Sequence, residues 1–231
     1  MTRLYLVRHG ENTANLTKEF SHRLVDYALT PKGRLQAAQT AEVLARRPIV
    51  AVFSSPLRRA RETAEAIAAP LGLEVTVLEQ FRELNVGDLE RVPPSEETWT
   101  QHDDVIKAWL RGDLDARFPG GEDYHMLWQR AAEGYRLVVE RFPGQEVVIV
   151  AHGGIFFASM KPLCPAVDLA ELRRHENHNC SISEVEVTRQ DSALHGQLVR
   201  WAASDHLSGE AADFVSGKPD ANFFNKAPAS A

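Results

Sequence analysis

The 231-residue chain has only two cysteines, Cys164 and Cys180, and their spacing matches no metal-ligand pattern. This argues against a disulfide framework and against a thiolate metal site. No run approaches the ~18 apolar residues of a membrane span. Strand-like sequence begins almost at Met1 and leaves no room for the charged, apolar and cleavage regions of a secretory leader. Positive charge is scarce as well: 26 Lys and Arg stand against 32 Asp and Glu, a formal net charge of −6. Neither a nucleic acid nor a membrane is an expected partner for such a surface, although a local basic pocket is compatible with it. Internal repeats and low-complexity blocks are absent, and a cytoplasmic protein is expected.

What is present is enough apolar sequence, 44% of residues, for one large domain with a substantial core. Leu4-Tyr5-Leu6-Val7 is a continuous apolar run, as expected of a strand buried on both faces of a parallel sheet. Thr30 and Pro31 open a helix that Pro48 closes. The run IVAVFSS leads to a second helix, with Ser55 as N-cap, Pro56 in the first turn and Gly72 beyond the end. A short strand then enters a loop punctuated by Gly87. Residues 91–121 predict a lid-like excursion with one short helix over 104–110. Helical spacing returns over 122–142, followed by the buried strand QEVVIVA, a helix in IFFASMKPLC, and alternating strands in SISEVEVT and GQLVRWAAS. This order predicts an α/β fold: a three-layer sandwich with a mainly parallel central sheet flanked by helices. One domain is expected over 1–208, with a C-terminal tail over 209–231. The ISEVEV strand is a candidate edge for pairing in a homodimer.

Chemistry in such sheets collects at the carboxyl ends of strands. Arg8, His9 and Gly10 stand at the end of the first strand, and His152 repeats that position at the end of QEVVIVA. Taken alone, a strand-end histidine reads as a structural residue; two of them, on parallel neighbours, deliver their rings to one rim. SSPLRRARETA places arginines at a helix N-terminus, where N–H groups and the dipole favour an anion. Arg58 and Arg61 read better as a solvated face, with Arg58 and Glu62 as an i,i+4 pair. Glu83 lies in a strand-to-loop transition, where most glutamates are simply solvated. Together these groups suit phosphoryl transfer, which needs cations around the phosphate, a nucleophile and an acid for the departing oxygen. Arg8 and an arginine of the second helix supply charge, His9 or His152 the nucleophile, and Glu83 the proton. Cationic neighbours favour the neutral imidazole that attack requires, and no metal or other cofactor is needed.

At this point the residues resemble the histidine phosphatase superfamily, the clan that includes cofactor-dependent phosphoglycerate mutases, bisphosphatases and broad phosphomonoesterases. LVRHGENTAN is similar to its Arg-His-Gly signature, SSPLRRARETA to its Ser-x-Leu-x-Arg-Ala segment, FRELNVGDLE to its glutamate loop and VAHGG to its second histidine motif. The clear match covers residues 3–90 and 146–155. The resemblance implies that His9 becomes phosphohistidine, that Arg8, Arg59 and His152 hold the phosphoryl group, and that Glu83 is the general acid and base. It also implies substrate contacts by Asn15, by Ser21 as a weaker match, and by Gly153. His22 and Arg23 join them as candidates because their segment borders the pocket in relatives.

The departures favour a metal-independent phosphatase acting on a small phosphorylated metabolite. Ser21-His22-Arg23 replaces the Thr-Gly-Trp-like stretch of the mutases, and residues 91–121 carry only Arg91, Lys107, Arg111 and Arg117 among many acids. A phosphoglycerate mutase and a non-catalytic phosphoester-binding protein are the alternatives. Trp99, His102, Trp109, His125 and Trp128 are candidates for a leaving-group pocket, but aromatics at helical spacing are more often core.

Overall fold

Leu4 to Val7 are at most 1% exposed and belong to a strand, β1 (Thr2–Arg8). The computed structural model describes residues 1–191, 193–220 and 222–225. The further strands are β2 (Ile49–Ser54), β3 (Val75–Val77), β4 (Glu146–Ala151), β5 (Ile182–Gln190) and β6 (Ala193–Ala203). The helices are α1 (Thr13–Thr17), α2 (Pro31–Leu44), α3 (Arg58–Ala68), α4 (Glu96–Leu110), α5 (Tyr124–Arg141), α6 (Gly153–Leu163) and α7 (Leu169–Leu172). The strands form one mixed sheet in the order β3-β2-β4-β1-β5-β6. From β3 to β1 the neighbours are parallel, whereas β5 and β6 are added antiparallel.

Strand side chains alternate between two faces, and helices cover both. Tyr5, Val7, Val52, Val148 and Val150 pack with Leu44 of α2 and with Ala60, Ala64 and Ile67 of α3. Leu4, Leu6, Phe53, Val147 and Ile149 pack with Tyr135 and Val138 of α5 and with Phe156 and Met160 of α6. The result is the expected α/β three-layer sandwich. Thr30 caps α2 by accepting from the Gly33 N–H, and Pro31 is its first residue.

Three local expectations change. The helix of the excursion is α4, fifteen residues rather than a short stretch over 104–110, because Ser95 and Thr98 form a reciprocal cap just after Pro93-Pro94. Ser55 does not cap α3; Leu57 holds that position without a side-chain bond, and the Ser55 hydroxyl is used elsewhere. ISEVEV is no edge, since β5 lies between β1 and β6, and β6 takes the outer place. The start of the expected tail is anchored to the domain. Ala211 is fully buried with Leu29, Ala37 and Cys180, and Gln36 Nε2 donates to its carbonyl at 3.1 Å. Residues 221 and 226–231 of that tail lie outside the described residues. No helix of the described residues is long and apolar enough to cross a membrane.

Candidate active site

The β1–β4 register pairs Arg8 with Ala151, so the next residues, His9 and His152, leave neighbouring strands at one level. Their ring centroids are 5.1 Å apart and both rings are buried. Gly10 permits this exit, because a Cβ there would stand 2.5 Å from the Gly33 carbonyl oxygen of α2. Nδ1 of His9 lies 2.7 Å from Gly10 O, which can only accept, so the network assigns the ring hydrogen to Nδ1. The lone pair is therefore on Nε2, which accepts from Arg59 Nε–H at 3.1 Å. Burial, then the cations of Arg59 and Arg8, drives the His9 pKa well below its ordinary value and keeps the ring neutral.

Nε2 of His152 lies 2.7 Å from Ser55 Oγ. The Leu57 N–H also donates to that oxygen at 3.3 Å. Nδ1 is buried and has no partner among the described residues. Burial, Arg59 and His9 hold the His152 pKa well below the usual value.

On α3, Arg58 turns outward to Glu62 at 2.7 Å, while its neighbour Arg59 turns inward. Arg59 Nη1 donates to Ser21 Oγ at 2.7 Å and Nη2 to Ser21 O at 2.9 Å. Burial pushes the Arg59 pKa down to about 10 against the attraction of Glu83. Arg8 donates from Nη1 to Asn177 O and keeps a buried Nε without a partner among the described residues. Burial lowers its pKa too.

Helix α6 starts directly after His152, and its first N–H groups have no partner within the helix. The Glu83 carboxylate takes them: Oε1 accepts from Ile155 N–H at 2.9 Å and Oε2 from Gly154 N–H at 3.1 Å. Oε1 also accepts from the Leu84 N–H at 2.8 Å. Gly154 allows the approach, since a Cβ there would lie 2.6 Å from Oε1. Arg130 of α5 braces the loop from behind, donating to the carbonyls of Gln80, Arg82 and Glu83 and pairing with buried Glu122 at 2.7 Å.

Arg8, His9, Asn15, Ser21, Arg59, Glu83 and Gly153 line one cavity of about 480 Å³, and His152 sits beside His9. Trp99 and His102 of α4 line it as well. Trp109 instead packs with Phe118, Trp128 packs against the main core, and His125 is exposed. His22 and Arg23 lie outside the lining. Four successive N–H groups, from His22 to Val25, converge on one oxygen of Glu90 and wrap the segment away. The His22 ring packs behind the loop, with Nδ1 2.9 Å from Glu83 O.

Sequence reasoning missed four contributors. Asn12 caps α1 and lines the cavity, and its buried Nδ2 has no partner among the described residues. Its signal was the spacing Asn12 to Asn15, a reciprocal cap. Asn179, from the segment before β5, ties His9 O at 2.9 Å to Asn15 Oδ1 at 3.1 Å. Ser55 holds His152, and Lys18 enters the cavity wall. Among the described residues no group of three or more His, Cys, Asp or Glu is placed to hold a metal ion.

Two imidazoles, two buried guanidinium groups and a carboxylate on a helix N-terminus, gathered at the ends of parallel strands, define an enzyme pocket built for an anion. The chain belongs to the histidine phosphatase superfamily (branch 1), whose sequence model matches residues 4–201, and it is an enzyme of the phosphatase type. It is 32% identical over 219 residues to GpmB, a probable phosphoglycerate mutase of Salmonella choleraesuis (strain SC-B67), covering 92% of this chain and 98% of that one. It also resembles the mycobacterial glucosyl-3-phosphoglycerate phosphatase Rv2419c solved with VO3. That structure is 28% identical, with a TM-score of 0.73, covering 87% of this chain and 99% of that chain. A mutant phosphoserine phosphatase from Entamoeba histolytica, in complex with phosphoserine, is 25% identical with a TM-score of 0.72, covering 90% and 100%.

Proposed function

We propose that the protein hydrolyses phosphomonoesters of small metabolites through a phosphohistidine on His9, without a metal. One observation carries this reading. The cavity is lined by neutral His9, with its lone pair on Nε2, and by Arg8 and Asn12, whose buried Nε and Nδ2 donors have no partner among the described residues. These are the donors a phosphoryl group would fill.

In the first step Nε2 attacks phosphorus and the P–O ester bond breaks. Glu83 gives its proton to the departing oxygen. Arg8, Arg59, Asn12, Asn15 and His152 hold the phosphoryl oxygens, and Arg59 exchanges its bond to Nε2 for one of them. Water then attacks phosphorus and the P–Nε2 bond breaks; Glu83 takes the water's proton, and inorganic phosphate and neutral His9 result.

The likeness to GpmB favours a second reading, a phosphoglycerate mutase. Such an enzyme must retain a bisphosphorylated intermediate, and the excursion contributes no cation to the cavity: Arg91, Lys107, Arg111 and Arg117 are all absent from its lining. Hydrolysis is therefore the favoured outcome. The test is phosphate release from a panel of phosphomonoesters in EDTA, with wild type beside His9→Ala. Release by the wild type alone is expected. Isomerisation of phosphoglycerate dependent on a bisphosphate primer, with little release, would favour the mutase.

A further inference from the structure

Lys18 is a lysine with 5% of its surface exposed, and it lines the cavity. It ends α1 in the left-handed conformation, at φ 63°, which is uncommon for a residue with a side chain. Its direct partners among the described residues are neutral. Nζ donates to Asn15 O at 2.6 Å and to Ser216 O at 2.7 Å, and the Phe223 ring centroid lies 5.5 Å away. Two of the three ammonium hydrogens are thus used, and none meets a negative charge. A buried ammonium with a hydrogen to spare at a cavity wall is a receptor for an anion.

Three carboxylates attract the ammonium: Glu11, which pairs with Lys32 at 3.0 Å, Asp220, which accepts from the Asn222 N–H at 2.8 Å, and Glu176. Glu176 Oε1 accepts from the Gly217 N–H at 2.6 Å, and Glu19 accepts from Thr17 and Tyr27. The ammonium is also close to the phosphoryl-binding end of the cavity. Ser216, whose carbonyl holds Lys18, precedes Gly217, where a Cβ would lie 3.8 Å from Arg8 Nη1. The two cations therefore flank adjacent residues of the chain, Ser216 and Gly217.

We propose that Lys18 determines specificity by receiving a second anionic group, a carboxylate or a second phosphate, carried on the leaving group a few atoms from the ester oxygen. This rests on the reading of the cavity as a phosphomonoester site. The remaining wall combines apolar side chains, Trp99, Ile106 and Phe157 among them, with the cations Arg173 and Lys218, of which Lys218 pairs with Asp103 at 2.5 Å. A leaving group without it would leave the ammonium unmet.

The test compares three esters of one length: 3-phosphooxypropanoate, its neutral amide, and propane-1,3-diol bisphosphate. Values of kcat/KM are measured for wild type, Lys18→Met and Lys18→Arg, and Kd is measured by calorimetry on His9→Ala, with and without Lys18→Met. Wild type should prefer one or both charged esters over the amide by ~10–100-fold. Lys18→Met should collapse the preference, and Lys18→Arg should retain most of it. The charged ester that gains more identifies carboxylate or phosphate as the partner. A wild type without preference would overturn the proposal whatever the variants do. So would Lys18→Met slowing all three esters alike with the preference intact, since that is the mark of a purely structural lysine. Absence of hydrolysis of every ester would count against the phosphatase reading, while the Kd ratio would still decide the role of Lys18.

Discussion

Replacing Gly154 by alanine probes the proposed proton donor without touching it. The added methyl would stand 2.6 Å from Glu83 Oε1 and 2.8 Å from Leu84 Cδ1 and Cγ. An ordinary carbon–oxygen contact requires the carboxylate to retreat by roughly 0.6 Å or more, and displacements of about 1 Å in a catalytic group cost on the order of 10²-fold. General acid catalysis is itself worth ~10²–10⁴, so partial loss of aim should cost ~10²-fold where the leaving group needs a proton. Alkyl phosphates need one, whereas 4-nitrophenyl phosphate leaves as a stable anion. Gly154→Ala should therefore lower kcat/KM ~10²-fold on an alkyl phosphate and no more than about fivefold on 4-nitrophenyl phosphate. Stability should change little: crowding of Leu84 costs about 1–3 kcal/mol, offset by about 1 kcal/mol of helix propensity in α6. Steady-state kinetics on the ester pair, with calorimetric melting as control, reads both quantities. Equal losses on both esters would refute the assignment of Glu83 as proton donor, and so would wild-type turnover of the alkyl ester.

Two further predictions concern charge. His9 and His152 are held neutral by burial and by cations, so the unfolded chain binds protons that the native state refuses as pH falls through about 6.5. Stability should be fully present above that pH and fall below it, by up to about 1.4 kcal/mol per histidine per pH unit. Denaturant melts between pH 7.5 and 5 and NMR titration of the rings check this, and a His9 that titrates near 6.5 would contradict it. Arg130→Met should cost about 3–5 kcal/mol, because it strands the buried Glu122 carboxylate and three carbonyls behind the Glu83 loop. A urea melt within 1 kcal/mol of wild type, on the order of surface substitutions, would show that the brace is dispensable.

What the sequence made legible is what local pattern controls. β1 and β4 are buried on both faces, so they read as unbroken apolar runs, and their parallel register carries His9 and His152 to one rim. Helical spacing pairs Arg58 with Glu62 and so places Arg58 on a solvated face, whereas Arg59 is singled out by the resemblance of its segment to the family's Ser-x-Leu-x-Arg-Ala motif. The failures share one cause, which is partnership across the chain. Ser55 looks like a cap in its own segment, but His152 lies 97 residues away and takes its hydroxyl. His22 and Arg23 follow the segment toward the pocket until the Glu90 carboxylate, 68 residues beyond His22, gathers the local N–H groups. ISEVEV alternates like an edge strand, and only the return of β6 covers it. Asn179 and Lys18 carry no local mark, since each acquires meaning from what packs beside it.

The position of β1 also has a consequence for how the molecule comes to exist. This strand leaves the ribosome well before its partners, Glu146–Ala151 on one side and Ile182–Val187 on the other. At ~5–20 residues per second, translation keeps it waiting on the order of ten seconds before either partner is made. Through that interval one of the most apolar strands of the fold, with His9 at its end, is a nascent segment without its sheet. The residue proposed to carry the phosphoryl group thus sits on the element that depends longest on the cell to shield it from aggregation.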